Sequence, residues 1–389
     1  MAHRLGAVCH DADGAVRHAT AEEATPPHDR FSGRMRVRNP AILRGAVTLG
    51  IGAAGGFAFF LFNLPLPWVL GSLTTSALVT QVSNFRPQLP TRWRSYGMVV
   101  IGTMLGTGFT QAVVARSASW GLSLVVMSLL SLVFCIFAYL VFRRWGGMNR
   151  ETALFAAMPG GLSVVAMLAE QYKTEVNRVI LCHTARLVVL LVSAPIVIQW
   201  LSGIHLADAN QIALHSHERI DPIKHGILAI VAIASFIVAN RVRLPSAMLL
   251  LPLLSSAVLH ATGLLTVHVP PVFSMLAQIV IGSSVGARFA NYTLRQIAKD
   301  GWLAALVGIF LAVGSLLGAY LVVLLNGGEI APLFLAYLPG GAPELGVVAL
   351  ALMIDPAMVA AHHVLRVFLI VAVLPYAAAR ISQRNDSSH

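Results

Sequence analysis

The sequence predicts an all-α polytopic membrane protein built from two repeats of about 180 residues, inverted relative to each other, each with about five crossings and one broken or re-entrant helix. Three observations carry this. The chain of 389 residues is 57% hydrophobic and only 11% charged, with a mean hydropathy of +0.76. Its apolar runs approach the roughly 20 residues that a spanning helix needs. A Pro-Gly-Gly block followed by His-x-x-Arg occurs twice, 180 residues apart.

The composition excludes several classes at once. A soluble domain is about 25% charged, so an ordinary soluble enzyme, a disordered chain and a secreted disulfide scaffold all fall away. Cys9, Cys135 and Cys182 are scattered and suggest neither a disulfide framework nor a zinc site. The net charge of +11 does not point to nucleic acid. Its lysines and arginines sit between apolar runs, as membrane flanks do.

Residues 1–38 are polar, contain Pro26 and Pro27, and lack the apolar core of a signal peptide. They read as a disordered cytoplasmic tail. Apolar runs then follow at 42–62, 66–82, 96–115, 120–142, 152–171, 178–200, 225–240, 244–262, 271–290, 301–325, 331–352 and 357–378. The six tryptophans (Trp68, Trp93, Trp120, Trp145, Trp200 and Trp302) lie at or near run edges, where amphipathic rings prefer the headgroup level.

The repeat is read from the residues that break helices. Met158-Pro159-Gly160-Gly161 aligns with Leu338-Pro339-Gly340-Gly341, His183 and Arg186 with His363 and Arg366, and Pro195 with Pro375, without a gap. Identity is 8 of 38 positions, yet the matches are mostly Pro, Gly, His and Arg, which seldom coincide in apolar helices. Gly102 and Gly106 fall on Gly282 and Gly286 at the same offset and read, with Gly314 and Gly318, as close helix-packing faces. The chain therefore divides into 41–220 and 221–389.

Charge decides between parallel and inverted halves. With all twelve runs crossing, inside loops hold 15 Lys and Arg and outside loops 8. If the Pro-Gly-Gly run of each half returns to the side it came from, the division becomes 20 inside and 3 outside. The positive-inside rule favours the second arrangement, with ten crossings and both termini cytoplasmic. The short 66–82 run, with Pro65 and Pro67, is the rival for the run that fails to cross.

Candidate site residues follow from what is costly in a bilayer. A helix broken at membrane depth is tolerated where it is buried in protein or lines a cavity. One break is more often a packing kink. Paired breaks at Pro159, Gly160, Gly161 and Ser163, and at Pro339, Gly340 and Gly341, point to a transporter binding site. Arg186 and Arg366 lie about eight residues into their helices, about 12 Å deep. A charge there marks a functional pathway or ties down the carbonyls freed by the break. His183 and His363 share a face with these arginines and could bind a proton. Glu344, whose counterpart is Val164, could pair with an arginine or carry the coupling proton or cation. A metal site from His183, His362 and His363 matches no ligand spacing, and no metal or other cofactor is expected.

These blocks give a resemblance. The chain resembles the bacterial AbrB family of duplicated integral membrane proteins, distinct from the soluble DNA-binding regulator of that name. The family pattern is Pro-Gly-Gly-Leu-Ser-Glu; Glu344 fits it and Val164 departs from it, which argues against a symmetric pair of carboxylates. The resemblance implies an inner bacterial membrane. It also brings two labels, regulator of gene expression and ammonia monooxygenase; the second would need a metal site that these residues do not offer.

The expectation is a secondary transporter of a small anionic or amphoteric solute, bound where the halves meet. Its partners would be the bilayer and the solute, with no nucleic acid and with homo-oligomerisation left open. A membrane-bound regulator without transport is the alternative.

Overall fold

The computed structural model of the chain describes residues 40–159, 162–172, 174–203, 221–242, 244, 246–352 and 354–386, with backbone alone at 40, 163, 164 and 380–386. Among these residues there is no strand, and fourteen helices follow one another. They are α1 Pro40–Leu61, α2 Pro67–Val82, α3 Thr91–Thr107, α4 Gln111–Arg144, α5 Arg150–Ala157, α6 Leu162–Gln171 and α7 Val176–Ser202. The second set is α8 Pro222–Ala239, α9 Ala247–Ala261, α10 Pro271–Asn291, α11 Leu294–Asn326, α12 Ile330–Tyr337, α13 Ala342–Ala351 and α14 Pro356–Asp386. Seven of them (α1, α4, α7, α8, α10, α11 and α14) are long and apolar enough to cross a membrane.

The helix starts follow local chemistry. Asn149 accepts a hydrogen bond from the Thr152 amide at 2.7 Å and caps α5, and Asp221 caps α8 through the amides of Ile223 and Lys224. Pro67, Pro222 and Pro271 stand at helix starts, where the missing N–H costs nothing. Both central breaks have one cause. Met158 (φ −56°, ψ 128°) and Leu338 (φ −56°, ψ 122°) precede a proline, which pushes them out of helical conformation. Runs 152–171 and 331–352 are thus each two half-helices, α5–α6 and α12–α13. One expected run is not a single helix: 96–115 is interrupted after Thr107, and the helix restarted at Gln111 continues to Arg144. Thr110 caps this restart through the Val113 amide.

The bounds of the two sets are closely parallel. α5 and α12 span 150–157 and 330–337, and α6 and α13 span 162–171 and 342–351. The close packing also recurs at a shift of 180. A Cβ on Gly102 or Gly106 would lie 2.4 or 2.5 Å from the carbonyl oxygens of Leu249 and Leu253 on α9. One on Gly282 or Gly286 would lie 2.3 Å from those of Val69 and Leu73 on α2. Thus α3 rests on α9 and α10 on α2, with glycine admitting the facing backbone. The turns into α2 and α9 match as well, with left-handed Leu66 (φ 48°) and Ser246 (φ 57°). These correspondences are compatible with two repeats.

Candidate functional site

The second break shows how the fold handles a helix end inside a protein. The last carbonyls of a helix have no partner within it. At the end of α12, Arg366 of α14 supplies the donors: Nη2 reaches the carbonyls of Ala336 (2.9 Å) and Tyr337 (3.0 Å), and Nη1 that of Leu338 (2.6 Å). His363 Nε2 lies 3.2 Å from the Leu335 carbonyl, and its Nδ1 lies 3.4 Å from Arg366 Nη1. That geometry fits a neutral imidazole donating from Nε2 and accepting at Nδ1. Arg366 Nε completes the set by donating to Ser131 Oγ of α4 at 3.3 Å. A cation at a helix C-terminus is also favoured by the helix dipole.

The first break is built the same way. Arg186 of α7 donates through Nη1 to the carbonyls of Ala156 (3.4 Å) and Ala157 (3.2 Å), and through Nη2 to that of Met158 (2.8 Å). His183 Nδ1 is 3.2 Å from its own helix's Val179 carbonyl. Both arginines are 2% exposed.

On the N-terminal side of the second break, Glu344 lies in the first turn of α13, where the helix dipole favours a carboxylate. Its side chain folds back over Gly341: a Cβ there would come 1.9 Å from Glu344 Oε2. A side chain at this position would displace the carboxylate from where it lies. Glu344 is buried and makes no ion pair among the described residues.

These groups meet around one cavity of about 60 Å³. Leu162, His183, Arg186 and Leu187 line it from the first half, and Pro339, Gly340, Gly341, Glu344, His363 and Arg366 from the second. Pro159 is buried at the first break. Gly160 and Gly161 lie outside the described residues, as does the side chain of Ser163.

Three further lining residues with polar side chains escaped the sequence reading: Arg94, Ser246 and Arg288. The charge count placed both arginines in cytoplasmic flanks. The repeat search could not single them out, because their counterparts are Ser274 and Gly108. Position was the available signal for Arg288, since it falls inside the apolar span Pro271–Asn291. Arg288 also lines a polar basin of about 580 Å³ together with Arg86, Gln88, Ser284 and Asn291. A larger groove of about 700 Å³ between α3, α8 and the start of α10 is lined by apolar side chains such as Tyr96, Phe236 and Phe273. With so little to orient a polar solute, it suits acyl chains better than a transported ion. Among the described residues no three His, Cys, Asp or Glu side chains are grouped so as to hold a metal.

Apolar helices, paired helix breaks and buried cations around a shared cavity define a polytopic helical membrane protein. The family comparison is specific. The model of the family described as "Transition state regulatory protein AbrB" matches residues 68–382, so the chain belongs to the AbrB family. It is 23% identical over 353 residues to "Uncharacterized protein YhjN" of Bacillus subtilis (strain 168), covering 86% of this chain and 92% of that protein. It is 24% identical over 332 residues to "Putative regulator AbrB" of Escherichia coli (strain K12), covering 83% and 92%. No solved structure matches the chain.

Proposed function

We propose that this AbrB-family membrane protein is a secondary transporter of a small anionic or amphoteric solute, bound between two inverted repeats. The observation that carries the reading is the shared cavity, which takes Arg186 and His183 from one half and Arg366, His363, Glu344 and the Pro339–Gly341 break from the other. Paired broken helices around a central site are the architecture of alternating-access transporters. The four arginines that line the cavity favour a negatively charged solute. Glu344, folded over Gly341, is the acid placed to carry a coupling proton or cation, with His183 and His363 beside it. In this reading ten segments cross an inner membrane, with both termini and the 86–94 and 240–246 segments on the cytoplasmic side.

The test is a thermal-shift screen of purified protein against small organic anions and zwitterions, followed by uptake into liposomes. A solute that both stabilises the protein and is accumulated supports transport. Stabilisation with no flux under any ion gradient would favour the second reading, a membrane-bound sensor acting on gene expression. That reading rests on the word "regulatory" in the family's description and "regulator" in the name of the Escherichia coli relative.

A further inference from the structure

The cavity contains four arginines, and they are not equivalent. Arg366 turns its guanidinium towards five acceptors: Ala336, Tyr337, Leu338, Ser131 and His363. A guanidinium has five N–H groups, so none is left for a ligand. Arg186 is committed to three carbonyls, and its Nε is sealed from solvent. The negative ends of α5 and α12 also offset these two charges. Arg94 and Arg288 differ. Both are half-buried, both line the cavity, and neither donates a hydrogen bond to any described residue. Ser246 lines the same cavity with a hydroxyl that likewise bonds to no described residue. Arg288 is also the residue shared with the polar basin that holds Arg86.

We infer that Arg94 and Arg288, with Ser246, form the anion-binding locus of this protein, reached through the Arg86–Arg288 basin, while Arg186 and Arg366 serve as braces. The assignment rests on the anionic-solute reading above and sharpens it. The solute is an oxyanion whose oxygens take guanidinium N–H groups in the paired geometry that arginine favours. A carboxylate and a phosphate share that chemistry. Glu344 lines the same cavity and makes no ion pair with either arginine, which leaves both cations to the solute. The positions equivalent to Arg94 and Arg288 in the other repeat, Ser274 and Gly108, carry no charge. Gly108, the counterpart of Arg288, is packed against Pro356, where an added Cβ would come 2.7 Å from Pro356 Cγ.

The experiment measures binding of three probes, lactate, succinate and inorganic phosphate, to the full-length protein in detergent, with Arg94→Ala, Arg288→Ala and the surface control Arg295→Ala alongside the wild type. The assignment expects at least one probe to bind wild type and Arg295→Ala alike, and each cavity variant to lose tenfold or more in affinity. The three probes separate carboxylate from phosphate recognition. Arginine-selective labelling with phenylglyoxal, read by mass spectrometry on the wild type, keeps the test valid if a variant fails to fold. Arg94 and Arg288 should be modified and the bound probe should protect them, whereas Arg186 and Arg366 should stay unmodified. Variants that bind within twofold of wild type, or labelling of Arg94 and Arg288 that a bound probe does not slow, would overturn the assignment. A wild type that binds none of the three would instead overturn the anionic-solute reading, and this assignment with it.

Discussion

Arg366 donates from Nε to Ser131 Oγ at 3.3 Å, whereas Nε of Arg186 meets no acceptor among the described residues. The repeat offset gives the reason. The position 180 residues after Ser131 is Leu311, a buried side chain of α11, the helix packed on α7, and it has no oxygen to offer. Two arginines with the same task thus differ at Nε, and the second break is the better satisfied. Ser131→Ala should therefore strand a buried N–H and lower stability by about 1–3 kcal/mol. Ser128→Ala is the control, because Ser128 Oγ donates to the Leu124 carbonyl of its own helix. Thermal unfolding in detergent separates the two: a clear drop for Ser131→Ala and a change within about 0.5 kcal/mol for Ser128→Ala.

Removing either brace should act on folding before function. Arg186→Ala removes the side-chain donors from the carbonyls of Ala156, Ala157 and Met158, and Arg366→Ala leaves those of Ala336 and Tyr337 without a donor, while Leu338 keeps the Gly340 amide. A single stranded buried group costs about 1–3 kcal/mol, so each variant should show reduced membrane yield and a lower unfolding temperature. Arg366→Lys should recover little, since an ammonium cannot span acceptors arranged for a planar fork. Wild-type stability in Arg186→Ala would remove the bracing role.

Glycine packing gives an independent check on the frame. Gly102→Ala places a Cβ 2.4 Å from the Leu249 carbonyl oxygen, and Gly282→Ala places one 2.3 Å from that of Val69. Backbone cannot step aside as a flexible side chain can, so the helices must part. Overpacking of this kind costs about 1–3 kcal/mol. Gly50→Ala, with nothing within 4 Å of its Cβ, should be neutral or stabilising by up to about 1 kcal/mol. Similar losses are expected for Gly102→Ala and Gly282→Ala, because their surroundings correspond.

Much of this was legible in the sequence, for identifiable reasons. Proline and glycine act locally, so Pro159 and Pro339 announced both breaks. Composition alone gave the helical membrane class. The arginines were found because a charge in an apolar helix needs an explanation, and bracing was one of the two readings open. What the sequence could not show is which donors are already used. That depends on carbonyls 28–30 residues away on another helix. Arg94 stayed hidden because, by position, it looks like an ordinary membrane flank, and Arg288 because it lies within the last turn of its apolar span. The interruption after Thr107 was missed because Gly108, Phe109 and Thr110 leave the run apolar enough to look continuous.

The inverted arrangement predicts sidedness. Single cysteines at Asn240 and within 204–220, in a background lacking Cys9, Cys135 and Cys182, should react oppositely with an impermeant thiol reagent. The first should be reached from the cytoplasm and the second from outside. Labelling of both from one side would refute ten crossings with one re-entrant run per half.

The most direct test of the transport reading is electrical. Proteoliposomes adsorbed on a solid-supported membrane are exposed to a rapid jump of the anion that stabilises the purified protein. The account predicts a transient current carried by wild type and Arg295→Ala, strongly reduced in Arg94→Ala and Arg288→Ala, and absent from protein-free liposomes. No current, together with no isotope exchange of the same anion across a membrane holding intact protein, would contradict it.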